Sequence, residues 1–248
     1  MKLLYTTNRK DSDPSYGLKE TLLILKDVGF REVVYLQTTP GDERLKDLSG
    51  TGITYGILVE ETLSLQRILN TASKESVSLV IADFDRAIQK PSRSFLIRGL
   101  IRKTSVPVLV LNNIPAQGDS LFEHIIFPTD WSPASEKALA YLLGFSAIIK
   151  RLDIVNVING KLTVRDIREL KEKLIRTRKT CLSEKIDAES HVYAGSIPEE
   201  TIKASEDYKA TLIILGISSK KPFYKRIFRK NLSFRIAMAA AVPVLIVP

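Results

Sequence analysis

"SVPVLVLNN" (residues 105–113) and "AVPVLIVP" (residues 241–248) share a Val-Pro-Val-Leu core, one copy near the middle of the 248-residue chain and the other at its end. Two such runs half a chain apart are unlikely by chance and point to a duplicated unit. The halves are therefore compared element by element.

In the second half, "HIIFP" (124–128) predicts a short buried strand, followed by a helix from about Pro133 to Ile149. Ser132 is its N-cap and Pro133 its first residue, with Ala138, Leu139, Leu142, Leu143, Ala147 and Ile149 on a broad apolar face. "DIVNVI" (153–158) is the next strand. Val164, Ile167, Leu170, Leu174, Cys181 and Leu182 then keep helical spacing through a charged segment whose Arg165 and Lys171 form the solvated face. "AESHVY" (188–193) predicts a strand, "SIPEE" (196–200) opens a helix with acids in its first turn, and "TLIIL" (211–215) is a strand. A last helix near 232–240 precedes "PVLIV".

The first half repeats the order: "KLLYT" (2–6), helix "GLKETLLILKDV" (17–28), "EVVYLQT" (32–38), "ITYGIL" (53–58), helix "TLSLQRILNTAS" (62–73), "SLVIA" (78–82), helix "SRSFLIRGLI" (92–101) and "PVLVL". Wholly apolar strands alternating with helices predict an α/β fold: two tandem domains, 1–115 and 121–248, joined around "IPAQGDS" (114–120), each with a parallel sheet of about five strands covered by helices. In that plan ligands bind beyond the carboxyl ends of the strands. The positions to watch are Pro128, Thr129, Asp130, Val157, Gly195 and Gly216.

Composition narrows the function classes. With 44% hydrophobic and 26% charged residues the chain reads as globular, and no apolar stretch nears the roughly 20 residues that span a bilayer. "MKLLYTTNRK" is too short in its apolar part for a signal peptide, so a cytoplasmic location is expected. Cys181 is the sole cysteine, which excludes an internal disulfide and a cysteine metal cluster; it reads as a small apolar filler. His124 and His191 are the only histidines, and neither has a neighbouring ligand in sequence, so no metal site and no catalytic histidine is expected. No nucleophile elbow, His-Glu-x-x-His or Walker motif occurs, and the chain reads as non-enzymatic.

The net charge of +9 is uneven: residues 1–120 carry +2 and residues 121–248 carry +7. "GISSKKPFYKRIFRKN" (216–231) holds six cations and no acid. Lys220, Lys221, Lys225, Arg226 and Arg229 there form a candidate surface for an anionic partner, with Phe223, Tyr224 and Phe228 placed to stack on bases or enter a lipid interface. In the blander reading Ile227 and Phe228 anchor the loop and the cations stay solvated.

"IIFPTDWSPASEKALAYLLGFSA", "AGSIPEETIKAS", "ATLIILG" and "VPVLIVP" together resemble the universal stress protein family over residues 121–248; over 1–113 the resemblance rests on the duplicated plan and "SVPVLVLN". It implies tandem flavodoxin-like, adenine-nucleotide-binding-type domains standing in for the usual homodimer, their Val-Pro-Val-Leu strands paired so that neither edge stays open. ATP-binding members carry Gly-x2-Gly-x9-Gly-(Ser/Thr) after the fourth strand, where glycines let backbone N–H groups reach phosphates. Here Gly216 matches the first glycine, Ser219 replaces the second, and Lys230 and Asn231 stand at the last pair.

In the first half Asp83 stands where Gly216 does, and Thr6, Thr7 and Asn8 replace the Pro-Thr-Asp turn, so that half is read as a non-binder. Gly50, Gly52 and Gly56 precede a strand without dinucleotide spacing and read as loop and bulge. The resemblance thus implies a stress-response or regulatory protein with a largely degenerate nucleotide site and no cofactor. The alternative is ATP or AMP held by the second domain through Asp130, Val157, Gly195, Gly216, Asn231 and Ser233, with Lys220, Lys221 and Lys230 replacing lost amides. A further homodimer stays open, as do two roles for Trp131: stacking on adenine or packing under the following helix.

Overall fold

The computed structural model describes residues 1–7, 16–38, 48, 50–84, 91–112, 120–217 and 232–248. In the first half these form β1 (Lys2–Thr7), α1 (Tyr16–Asp27), β2 (Glu32–Gln37), β3 (Thr54–Val59), α2 (Leu65–Lys74), β4 (Leu79–Asp83), α3 (Pro91–Lys103) and β5 (Val108–Leu111). The second half supplies β6 (His124–Pro128), α4 (Pro133–Leu143), β7 (Arg151–Ile158), α5 (Val164–Ser183), β8 (Asp187–Ala194), α6 (Ile197–Asp207), β9 (Leu212–Gly216) and β10 (Val244–Val247). A helix at 232–239, α7, lies between β9 and β10.

The strands make one sheet in the order β3-β2-β1-β4-β5-β10-β9-β6-β7-β8. Each half is a parallel five-stranded unit of the same winding, and the two meet where β5 and β10 pair antiparallel, Val244 opposite Val110 and Ile246 opposite Val108. The repeated Val-Pro-Val-Leu runs are thus the seam. Pro107 and Pro243 sit just before their strands, and their carbonyls still accept from Val80 and Ile213 N–H.

Alternating strand residues feed two apolar layers that both run through the seam. On one face Leu22 and Leu25 of α1, Ala138 and Leu142 of α4, and Cys181 of α5 pack with Tyr5, Ile125, Ile154 and Leu245. On the other, Ile68 of α2, Ile97 of α3, Ala204 of α6 and Ala237 of α7 pack with Leu4, Val80, Ile213 and Ile246. A buried polar link also crosses the seam. The Arg93 guanidinium donates to Phe84 O (3.2 Å) and Asn112 Oδ1 (2.9 Å), while Asn112 Nδ2 donates to Ala237 O and Val242 O at 2.9 and 3.2 Å.

Two helices depart from expectation. α4 stops at Leu143 rather than Ile149: Gly144 caps it, and a single 3₁₀ turn, Ser146–Ile148, follows. The break turns Phe145 and Ile149 into the core, Phe145 stacking on Phe122 at 5.3 Å. On α5 only Leu174 and Cys181 of the expected stripe are buried and Leu170 is half-buried; Val164, Ile167 and Leu182 are exposed. Twenty helical residues span about 30 Å whereas the eight of β8 span about 26 Å, so part of the stripe finds no sheet beneath it. Among the described residues no helix is long and apolar enough to cross a membrane.

Candidate functional site

At the carboxyl ends of β6, β7 and β9 lies a cleft of about 150 Å³. Its walls are apolar where Val155, Val157, Leu215 and Ile236 meet, and its rim is polar at Thr129, Asp130, Asn156 and Ser233. The rim is set by how the chain leaves β6. Trp131 takes left-handed backbone (φ +52°), its N–H bonding Thr129 Oγ1 at 3.1 Å, and this sharp turn starts α4 directly beside the strand end. Ser132 caps α4 as expected, its Oγ accepting from Ser135 N, with Pro133 at the first helical position. Asn156 Nδ2 donates to Thr129 O at 2.8 Å and holds the turn from the next strand.

Asp130 is the charge at this helix start. Its Oδ1 accepts from Ser132 N (3.0 Å) and from Ser135 Oγ (2.5 Å), so the carboxylate already satisfies the end of α4 that an anion would seek. Across the mouth, Arg235 of α7 pairs with Glu199 in the first turn of α6. The Ser196 hydroxyl first, then the backbone N–H of Glu199 itself, and least Arg235, hold the Glu199 carboxyl below its ordinary value.

The structure gathers Pro128, Thr129, Asp130, Val157, Gly216 and Ser233 in this cleft. Gly195 stands apart from its lining. With φ +151° and its N–H on Ile158 O, Gly195 makes the turn that launches α6 and so presents Ile197 to the cleft. Ser219, Lys230 and Asn231, and the cations Lys220, Lys221, Lys225, Arg226 and Arg229, lie outside the described residues. Sequence reasoning did not single out Ser135, Asn156, Ile197 or Ile236; the strand-end position of Asn156 was the available signal.

Gly216 acquires a reason unrelated to phosphate. A Cβ there would lie 2.0 Å from the Ala134 carbonyl oxygen and 2.8 Å from Ser135 N, so glycine is what lets β9 touch the first turn of α4. In the first half, Asp83 is buried and accepts from Tyr5 Oη at 2.8 Å, with Thr6, Thr7 and Gln37 buried at neighbouring strand ends.

Of the two readings of Trp131, the structure favours packing: it lies outside the cleft lining and against the core layer that holds Ala138 and Leu142, its indole Nε1 donating to Thr177 Oγ1 of α5 at 3.0 Å with Lys173 above the ring. One expectation is corrected. His124 and His191 are not isolated, because parallel pairing of β6, β7 and β8 brings both imidazoles onto the buried Asp153.

Residues 121–248, just over half of the chain, match the family model of the universal stress protein family. The chain belongs to that family. No curated protein sequence matches it at a significant level. A universal stress protein from Archaeoglobus fulgidus DSM 4304 is similar in structure over 99% of this chain and 95% of its own, at 19% identity and a TM-score of 0.70. A protein of unknown function from Pseudomonas aeruginosa covers 99% of this chain and 92% of its own at 14% identity and a TM-score of 0.69. These likenesses carry the fold, in its full two-half form. A universal stress protein from Archaeoglobus fulgidus in complex with dAMP matches 52% of this chain and 99% of its own, at 18% identity and a TM-score of 0.42.

Proposed function

We propose that this universal stress family member is a non-enzymatic stress-response protein whose second half takes a nucleoside or mononucleotide rather than ATP, and whose first half takes none. The observation that carries the reading is the cleft itself. Among the described residues it measures about 150 Å³, half the low end of ordinary ligand pockets, about 300 Å³, which favours a small ligand such as a base with its sugar. Asp130 at the rim adds a carboxylate that favours hydroxyl and amine donors and repels phosphate at the α4 N-terminus, while Val155 and Val157 offer an apolar floor for a ring. Of the family's phosphate-loop glycines only Gly216 is present, and it is filled against Ala134.

Support for the absence of catalysis is chemical. The cleft hydroxyls Ser132 and Ser135 are hydrogen-bonded to each other, Ser135 Oγ also to Asp130, as parts of the helix cap, and among the described residues no histidine or cysteine lines the cleft. Isothermal titration of the full chain with adenosine, AMP and ATP tests the reading. Adenosine and AMP are expected to bind at least as tightly as ATP, with no phosphate released. Binding of ATP about tenfold tighter than AMP, steady phosphate release, or no heat from any of the three at millimolar concentration overturns it.

A further inference from the structure

The two histidines of the chain lie on one sheet face, the α6 side, and neither lines the cleft. Register puts Asp153 opposite Ile126 and Glu189, and His191 opposite Val155, so that Asp153, Glu189 and His191 share a face with His124. Asp153 is fully buried; its Oδ2 meets His124 Nε2 at 2.5 Å and its Oδ1 meets His191 Nε2 at 3.1 Å. Glu189 Oε2 lies 3.9 Å from His191 Nε2, and one ligand atom each from Asp153, Glu189 and His191 fall within 4.8 Å of one another.

We propose that Asp153 Oδ1, Glu189 Oε2 and His191 Nε2 form a binding site for a first-row divalent cation of the Zn²⁺ class, with water as fourth ligand. Zinc bonds to nitrogen and oxygen of about 2.0–2.2 Å put tetrahedral ligand atoms about 3.3–3.6 Å apart, a spacing the observed 3.1 and 3.9 Å bracket. One imidazole with two carboxylates is a borderline donor set, which selects zinc, cobalt or manganese over calcium and magnesium.

The surroundings are those a metal ligand set needs. His191 Nε2 faces the carboxylates and donates to Asp153 Oδ1, while Nδ1 lies 3.0 Å from Tyr208 Oη and accepts from the phenol; metal binding at Nε2 would move the ring proton to Nδ1, where the phenol oxygen can accept it. His124 donates Nε2–H to the second oxygen of Asp153, which keeps Oδ1 aimed at His191. Burial pushes the Asp153 carboxyl up, but the hydrogen bonds of the two histidines and the nearby Arg151 more than offset it and hold it below its ordinary value.

The group that competes is Arg151. Its guanidinium reaches Asp153 Oδ1 at 3.5 Å and Glu189 Oε2 at 3.1 Å, the space a cation would take. The fit is loose: Arg151 Nε is buried with no hydrogen-bond partner among the described residues, and the side chain, 38% exposed at the first residue of β7, has a way out to solvent. Metal binding therefore displaces Arg151, and the two are rivals.

That rivalry makes the test specific. The metal-free full chain, without a histidine tag, is titrated with Zn²⁺ by calorimetry and with Co²⁺ by absorbance. One equivalent of Zn²⁺ is expected, together with the ligand-field bands of four-coordinate Co²⁺. His191→Ala and Glu189→Gln, both at solvent-accessible side chains, should each weaken binding by about tenfold or more, and Arg151→Gln should tighten it by about as much. The proposal is overturned by absence of stoichiometric binding at about 100 µM free Zn²⁺, by binding unchanged in His191→Ala, or by Arg151→Gln weakening it. Circular dichroism of each variant confirms that the fold persists.

Discussion

Replacing Gly216 by alanine separates two roles that this residue could have in the universal stress fold. The added methyl carbon would sit 2.0 Å from Ala134 O and 2.4 Å from Ala134 C, where ordinary contact begins near 3.4 Å, so β9 and α4 must part by about 1.4 Å. Neither yields easily. Gly216 is paired with Val247 on β10, and the first turn of α4 is pinned by Ser132, Ser135 and Asp130 while Ala138 and Leu142 are buried behind it. Overpacking of this kind costs about 1–3 kcal/mol. With a urea m-value of about 3 kcal/mol/M for a chain of this size, the midpoint should fall by about 0.3–1 M. The assay is urea unfolding followed by circular dichroism with no nucleotide present. Gly56→Ala serves as control, since a Cβ there meets nothing within 4 Å. A Gly216→Ala midpoint within about 0.1 M of the parent refutes the packing argument and returns Gly216 to a purely ligand-facing role.

Asn112→Ala should destabilise the chain by about 3 kcal/mol in the same assay, because it removes one acceptor of the buried Arg93 guanidinium and the donor to two carbonyls of the opposite half. Cys181 gives a pH dependence: burial pushes its thiol from 9.0 up to about 11, so the native chain should resist thiol reagents at pH 8 until it is unfolded. Because the folded pKa is the higher one, stability from this group is fully present below pH 9.0 and declines by up to about 2.7 kcal/mol as pH rises to about 11; Cys181→Ala should flatten that decline. Thr177→Val removes the acceptor of the Trp131 indole and should shift its emission, whereas adenosine should leave that emission unchanged, since Trp131 lies outside the cleft lining. Strong quenching by adenosine would contradict this placement.

Much of the candidate cleft was legible in sequence because it is built from local signals. Ser132 and Pro133 announce a helix start, and the end of a buried strand announces a crevice, so Pro128, Thr129 and Asp130 could be named from order alone. Where α4 stops was not legible, since its apolar spacing continues to Ile149 and only the demand of the core for Phe145 and Ile149 breaks it at Gly144. The partner of Trp131 was hidden for the same reason: Thr177 is 46 residues away.

By itself the sequence determined the duplicated α/β plan, because apolar period, caps and the repeated Val-Pro-Val-Leu are properties of short segments. Tertiary structure alone decided how those segments share surroundings. It fused two five-stranded units into one sheet at the antiparallel seam, closed Gly216 against Ala134, and joined Asp83 to Tyr5 in the interior of the first half. It also carried His124 and His191, 67 positions apart in sequence, onto one buried carboxylate. Parallel pairing makes neighbours of residues that a long crossover keeps apart along the chain, and that information exists only once the strands are aligned.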